Sequence, residues 1–192
     1  MSNLSSTADD ILASARVLIR SGGYAGFSYA DIAAVVGIRK ASIHHHFPSK
    51  VDLVCAVVRG YRQDAAAGCA ALERMAADPH DQLVRYAGYW EGCISDASDP
   101  YCICALLAGE LPALPPAVAV EVRLHFEALS AWLTSAFERG AALGVLRLSE
   151  TPQAEATLFM ADVHGGMLLA RAQGDPSMFG VITKASLNRL TP

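Results

Sequence analysis

The sequence predicts an all-α protein with about nine helices. Alanine and leucine dominate the composition, and apolar residues recur at three- and four-residue spacing along most of the chain. Glycines and prolines fall between these stretches rather than inside them. With 192 residues, of which 53% are hydrophobic, the chain has ample material for a packed core.

The N-terminal segment divides into short helices with clear boundary residues. Thr7 is expected to cap a first helix that the Gly22-Gly23 pair ends. Ser28 is expected to cap a second helix, and Gly37 stops it because glycine tolerates the backbone of a tight turn.

The next two helices are separated by a proline. A third helix is predicted at about residues 39–45, because the residue before Pro48 is disfavoured in helical geometry. Ser49 is expected to cap a long fourth helix that reaches Met75. Prolines and turn residues divide the remainder into five predicted helices, at 80–95, 102–111, 116–142, 152–173 and 177–190.

Three short helices followed by a long one, with a glycine between the second and third, predict a helix-turn-helix, whose third element enters the major groove of DNA. Arg39, Lys40 and Ser42 can bond phosphates or base edges there, and Ala41 is small enough to contact a thymine methyl. Lys50 begins the next helix, where its ammonium and the free backbone N–H groups could hold a phosphate together.

The charge distribution agrees with this interpretation. Residues 1–50 carry five basic and three acidic side chains, whereas the rest carries ten basic and sixteen acidic ones. A net charge of −4 for the whole chain therefore hides a positive N-terminal segment.

The segment 31–53, DIAAVVGIRKASIHHHFPSKVDL, resembles the DNA-binding region of the tetracycline-repressor (TetR) family. The glycine, the Ser-Ile pair, the His-Phe pair and the lysine recur in register, and the resemblance covers roughly residues 10–58. Where members of that family usually have tyrosine after the Ser-Ile pair, this chain has His44, so a phosphate contact could strengthen at mildly acidic pH.

The resemblance implies a homodimeric transcriptional regulator with a DNA-binding domain at 1–49 and an effector-binding and dimerisation domain at 50–192. Its expected partners are a double-stranded, pseudo-palindromic DNA operator and a small apolar or aromatic effector that releases a repressor. The predicted DNA-binding residues are Ser28, Arg39, Lys40, Ala41, Ser42, His44, His45 and Lys50.

The three consecutive histidines do not predict a metal site. Successive helical residues point about 100° apart, so His44, His45 and His46 cannot converge on one ion. DNA contact is favoured for the first two, whereas His46 could either contact phosphate or bond the end of its helix. We predict no metal and no cofactor.

The larger part of the chain must supply a dimer interface. Residues 154–172 are apolar almost all round, with small residues that let helices approach closely. The resemblance implies that the last two helices pair with their copies in a second subunit. The alternative is a fully buried core helix of a monomer.

The effector site is expected among aromatic, aliphatic and a few polar side chains of the bundle, as is typical of small-molecule pockets. Each of these residue types also fills ordinary cores. The candidates are Tyr86, Tyr89, Trp90, Cys93, Cys102, Leu106, His125, Phe126, Leu129, Met160, His164 and Met167.

Cys102 suggests an alternative mode of regulation. It is expected in the first turn of the sixth helix, where the helix dipole would favour a reactive thiolate. The alternative function is therefore a repressor that senses oxidants or electrophiles through Cys102, as some members of the family it resembles do. An unpaired cysteine is, however, more often a small buried hydrophobe.

Other classes of protein find little support. The chain has no Gly-x-Ser-x-Gly elbow, no Gly-rich phosphate loop and no His-Glu-x-x-His pair, so we predict no catalytic residues and no enzyme. A purely architectural DNA-binding protein would not need so large a helical bundle. The polar N-terminus and five cysteines without an export signal predict a cytoplasmic protein with reduced thiols and no membrane span.

Overall fold

The computed structural model describes residues 6–96 and 101–191. Within these residues the chain forms nine α-helices and one short 3₁₀ turn, with no β-strand. The helices are α1 Thr7–Gly22, α2 Tyr29–Val36, α3 Lys40–His46, α4 Lys50–Met75, α5 Pro79–Ser95, α6 Ile103–Ala108, α7 Pro116–Ala142, α8 Pro152–Gln173 and α9 Ser177–Arg189. The all-α prediction is confirmed.

Side-chain caps define the beginnings of the N-terminal helices. Ser28 and Asp31 form a reciprocal capping box at α2, in which the Ser28 N–H donates to the Asp31 carboxylate at 2.7 Å. Ser49 and Asp52 exchange the same pair of bonds at the start of α4, at 3.0 and 3.2 Å. Both predicted caps, Ser28 and Ser49, are therefore confirmed.

Two predicted boundaries differ from the structure. The cap of α1 is Ser6, paired with Asp9, and the predicted cap Thr7 is already the first helical residue. The sixth helix begins at Ile103 and has six residues, so Cys102 precedes it instead of lying in its first turn. Its early end agrees with Pro112, which has no N–H to donate to the Ala108 carbonyl, and a separate 3₁₀ turn begins at Leu111.

The chain is organised as two compact units. One contains the residues up to Gln63 together with Ile103–His125, and the other contains Asp64–Cys102 and the chain from Phe126 onward. This division by compactness differs from the predicted functional boundary at residues 49 and 50, which remains a prediction about roles.

Each unit has its own core. In the first unit, Ile11 and Ile19 of α1, Ile32 of α2 and Ile43 of α3 are fully buried, and these residues fix the three short helices against one another. In the second unit, Phe137, Phe159 and Phe179 are the largest fully buried side chains. There α8 packs along α9, and a Cβ at Gly166 would lie only 3.3 Å from the Phe179 ring. None of the described helices is long and apolar enough to span a lipid bilayer.

Candidate DNA-binding surface and effector region

The third helix presents a polar face to solvent. Ile43 is its buried anchor, with no exposed surface. Lys40, Ala41, His44 and His45 are exposed, and their spacing of one, four and five residues places them on one side of the helix. Its first turn carries no acidic side chain. This surface can accept phosphate and base contacts without an opposing carboxylate on the same helix.

The turn that precedes α3 is built by a glycine. Gly37 adopts left-handed geometry, with φ of 75°, and its N–H donates to the Ala33 carbonyl. Arg39 then follows as the residue before α3, exposed and without a side-chain capping bond. Its guanidinium is therefore not committed to holding the helix end.

The far end of α3 is held by a residue that sequence analysis did not select. The hydroxyl of Tyr29, on α2, donates to the Phe47 carbonyl at 2.8 Å. His44 lies beside it, with ring centroids 4.8 Å apart, and its Nδ1 lies 3.2 Å from the Pro48 carbonyl. The Nδ1–H tautomer satisfies that carbonyl and leaves Nε2 as the remaining nitrogen for any contact with DNA.

Lys50 is engaged inside the first unit. Its ammonium donates to the Phe27 carbonyl and lies 4.1 and 4.9 Å from the ring centroids of Phe27 and Tyr24. Burial lowers the pKa of the lysine, and the carboxylates of Asp31 and Glu110 partly oppose that effect. The predicted phosphate contact therefore competes with an intramolecular one.

Two serines that were predicted to bind DNA differ in exposure and in their local hydrogen bonds. The Ser28 hydroxyl is exposed, but it donates to the Asp31 carboxylate at 2.7 Å and accepts from the Ala30 N–H. Ser42 is half-buried on α3, unlike its neighbours Lys40 and Ala41. Neither observation tests a contact with DNA.

A carboxylate distant in sequence secures the loop between α1 and α2. Glu110 accepts from the Tyr24 N–H at 3.1 Å. A Cβ at Gly23 would collide with the Glu110 carboxylate, and Gly23 has φ of 70°, so only glycine permits this approach. The contact joins residues 86 positions apart, and no local sequence pattern indicates it.

The eighth helix exposes an apolar stripe. Leu158 and Leu168 are 46% and 50% exposed, and what makes them informative is that they belong to a continuous exposed apolar surface. The stripe, which we call the α8 stripe, consists of the exposed residues Leu158, Ala161, Gly165, Leu168, Leu169 and Ala172. Val181 on α9 is 61% exposed as well.

The predicted effector residues do not all come together. Leu106 and His125 belong to the first compact unit, where the His125 ring lies 5.3 Å from that of Tyr61. Tyr89 is 57% exposed and points out of the core. In the second unit, Tyr86, Trp90, Cys102, Leu129 and Met167 are buried, whereas Cys93, Phe126, Met160 and His164 are half-buried.

Four of these residues, of which His164 is half-buried and the other three are buried, form a polar cluster in the second unit. Burial raises the pKa of the Tyr86 phenol well above its usual range, an effect that Trp90 partly opposes and Cys102 reinforces. Burial disfavours a charge on His164, but Cys102 and the Met160 carbonyl outweigh it and raise the pKa of the imidazole above its ordinary value. Tyr86 therefore lies near Trp90 and Cys102 in space, and Cys102 lies near His164.

The second unit also has an open groove of about 730 Å³. Most of its lining comes from α7, and Phe126 is the one predicted effector residue in it. The lining residues are Phe126, Glu127, Ser130, Ala131, Thr134, Ser135, Glu138 and Gln153.

Comparison with known proteins defines the class. Residues 11–57 match the family described as bacterial regulatory proteins, tetR family. A TetR-family transcriptional regulator from Agrobacterium tumefaciens is 61% identical, with 96% of this chain and 97% of that chain covered and a TM-score of 0.95. A TetR transcriptional regulator from Legionella pneumophila is 27% identical, with 99% and 100% of the two chains covered and a TM-score of 0.89.

A curated relative matches over a shorter stretch. The HTH-type transcriptional regulator CymR of Pseudomonas putida is 31% identical over 80 residues, which are 41% of this chain and 38% of that protein. The chain thus aligns with well under half the length of CymR.

The fold and the helix-turn-helix define a DNA-binding transcriptional regulator, not an enzyme. The chain belongs to the TetR family.

Proposed function

We propose that this protein is a repressor that binds a pseudo-palindromic operator as a homodimer and leaves it when a small apolar or aromatic effector binds. The DNA-binding part of this proposal rests on the exposed polar face of α3, which the Gly37 turn and the buried Ile43 position. A helix presented in this way fits the major groove.

The residues proposed to contact DNA have distinct roles. Lys40 and Arg39 supply positive charge near base edges and phosphates, and Ala41 allows the helix to approach a thymine methyl. His44 and His45 face solvent on the last turn and are proposed to contact phosphate. Ser28, Ser42 and Lys50 complete the proposed surface at the helix ends.

The proposed dimer is supported by the α8 stripe. Exposing a helix face of leucine, alanine and glycine to water is unfavourable, and burying that face against a second apolar surface lowers the free energy. An isologous interface formed by α8 and α9 of two copies would cover it, and would place two recognition helices in symmetric positions. Two-fold symmetry in the protein predicts a pseudo-palindromic operator.

Release by an effector is proposed as a population shift. An effector that binds better when α4 has swung would move the two recognition helices off the spacing of successive major grooves. DNA affinity then falls by the effector's differential affinity for the two states, typically about 1–3 kcal/mol.

The role of Lys50 offers a direct test of the proposed surface. Lys50→Ala should weaken operator binding for all sequences and reduce the slope of log affinity against log salt by about one unit. Because Lys50 also contacts Phe27, circular dichroism must show that the variant is folded. Arg74→Ala, which removes an exposed charge from the last turn of α4, is the control. If Lys50→Ala keeps the wild-type slope, its ammonium serves the fold and does not contact phosphate.

A second candidate function is thiol-based sensing through Cys102. The sixth helix is too short and begins too late to support the dipole argument, but the neighbouring His164 provides another way to favour a thiolate. Against this stands the burial of Cys102, which is 1% exposed.

Alkylation separates the two candidates. Iodoacetamide forms an S–C bond with the thiolate and expels iodide, so modification of Cys102 should release wild-type protein from DNA while Cys102→Ser stays bound. Equal loss of binding by both proteins would end the thiol hypothesis.

A further inference from the structure

The loop between α1 and α2 is tied to a carboxylate just beyond the end of α6. Glu110 is half-buried, and its backbone is fixed at both sides, since its N–H donates to the Leu107 carbonyl at 3.0 Å and its carbonyl accepts from the Ala113 N–H at 2.8 Å. Its two carboxylate oxygens accept from the Tyr24 N–H at 3.3 and 3.1 Å and lie against Gly23, where a side chain would collide with them. The loop therefore takes its position from a fixed point outside the helix-turn-helix.

The same loop holds the ammonium of Lys50. The ammonium donates to the Phe27 carbonyl and lies 4.1 Å from the centroid of the Phe27 ring and 4.9 Å from that of Tyr24. We call this carbonyl and the two rings the Lys50 cage. Phe27 is buried, so the cage is anchored in the core of the first unit. A phosphate that draws the ammonium outward has to compete with these contacts.

Glu110 also acts on Lys50 through its charge. Burial lowers the pKa of Lys50, and the carboxylates of Asp31 and Glu110 oppose that effect. Asp31 is committed to the cap of α2, where it accepts from the N–H and the hydroxyl of Ser28, both at 2.7 Å. Of the two carboxylates, Glu110 is the one that both attracts the ammonium and fixes the loop around it.

We propose that Glu110 is a positioning residue for DNA binding, which retains the Lys50 ammonium in its cage and thereby sets how readily that ammonium reaches a DNA phosphate. This inference rests on the proposed phosphate contact of Lys50 and adds the residue that controls it. When only a fraction of the protein has the lysine available, the apparent affinity falls in proportion to that fraction. Removing the Glu110 carboxylate should therefore raise the affinity for DNA through Lys50.

The first test needs no DNA. The chain has three lysines, and Lys40 and Lys184 are exposed, so they serve as internal references for Lys50. Acetic anhydride forms an amide bond with a neutral lysine amine and releases acetate, and mass spectrometry gives the rate at each lysine. Glu110→Ala should raise the rate at Lys50 at least about threefold and leave the two reference rates unchanged. An unchanged rate at Lys50 in the folded variant would overturn the proposal.

A milder variant separates the hydrogen bond from the charge. Glu110→Gln keeps an acceptor for the Tyr24 N–H and removes only the charge, so it should raise the acetylation rate at Lys50 less than Glu110→Ala does. Circular dichroism identifies any variant that has failed to fold. Asp10→Asn is the control, because it removes one exposed negative charge from α1 in the same unit. An equal rise at Lys50 with this control would show a general effect of charge and would contradict the assignment.

A double-mutant cycle then measures the consequence for DNA binding. At one fixed salt concentration, Glu110→Gln should raise operator affinity about threefold in the wild-type protein and leave it unchanged in Lys50→Ala, because the gain passes through Lys50. Asp10→Asn should give the same small change in both backgrounds, since it acts only on the net charge. Equal gains from Glu110→Gln in both backgrounds would show that the lost carboxylate merely repelled DNA, and would overturn the proposal.

The single variant Lys50→Ala distinguishes the two levels of the argument. If it flattens the salt dependence of operator binding but the cycle shows no coupling to Glu110, this inference fails and the proposed function stands. If it leaves the salt dependence unchanged, the proposed phosphate contact of Lys50 fails and this inference fails with it.

Discussion

The exposed faces of α3 and α8 differ in chemistry. Both helices bury one side in a core, Ile43 on α3 and Phe159 on α8, but α3 exposes lysine and histidine where α8 exposes leucine, alanine and glycine. A polar face attracts a polyanion, whereas an apolar face in water favours another apolar surface. The difference supports the proposal that the two helices serve different partners, DNA for α3 and a second copy of the chain for α8.

The largest expected effect comes from placing a charge in the α8 stripe. Leu168→Glu should prevent dimerisation, because two carboxylates would be buried near a two-fold axis without partners. Light scattering should then give the 20.3 kDa mass of one chain, and operator affinity should fall at least about 100-fold with the loss of the second half-site.

The control for this change is another exposed leucine. Leu143 is 66% exposed just after α7 and lies outside the α8 stripe, so Leu143→Glu should remain dimeric. If Leu168→Glu behaves like this control, the α8 stripe is an ordinary apolar surface and the proposed dimer interface is wrong.

A smaller effect is expected on α3. Lys40→Ala should weaken operator binding by about 1–3 kcal/mol and relax the preference at one base position, because Lys40 is proposed to lie near base edges. Competition titrations with single-base operator variants measure both quantities. A loss no larger than that of Arg74→Ala would remove Lys40 from the interface.

The smallest effect concerns the buried side of α8. Glu155 has no exposed side-chain surface and accepts from Ser149 N–H at 2.9 Å and from Arg189 of α9 at 2.8 Å. Burial opposes its charge, but the Arg189 bond and the backbone donors outweigh burial and lower the pKa of the carboxyl. Glu155→Gln keeps an acceptor and should cost about 1 kcal/mol of unfolding free energy at pH 7.

The pH dependence checks that assignment. A carboxyl whose folded pKa lies below its ordinary value of 4.5 stabilises the fold above that value, and the contribution is lost as pH falls through the folded pKa. Urea titrations of wild type and Glu155→Gln should therefore differ at pH 7 and converge in strong acid. A constant difference across this range would show that the charge of Glu155 contributes nothing.

The sequence predicted the N-terminal helices well because their determinants are local. Ser28 pairs with Asp31 and Ser49 with Asp52 three residues on, and Gly37 provides left-handed geometry at a single position. Such signals can be interpreted without knowledge of the tertiary structure.

Other features depend on contacts between distant residues. Glu110 reaches the backbone of Tyr24, and the Tyr29 hydroxyl reaches the carbonyl of Phe47, pairings that no periodicity indicates. The inward position of the Lys50 ammonium was likewise not predicted, because the Phe27 carbonyl that holds it lies 23 residues earlier.

The effector region was the hardest part to predict. Apolar side chains at helical spacing serve cores and pockets alike, so a list of twelve candidates could not separate exposed Tyr89 from buried Trp90. Only the three-dimensional arrangement showed which of them lie together.

The most direct test of the account is selection of genomic fragments by purified protein, followed by footprinting of the recovered site at controlled salt. A symmetric dimer with α3 in the major groove predicts a pseudo-palindrome whose half-site centres lie about 34–36 Å apart, or a multiple of that distance. No enriched sequence at low salt, or a single unpaired half-site protected with full affinity, would contradict it.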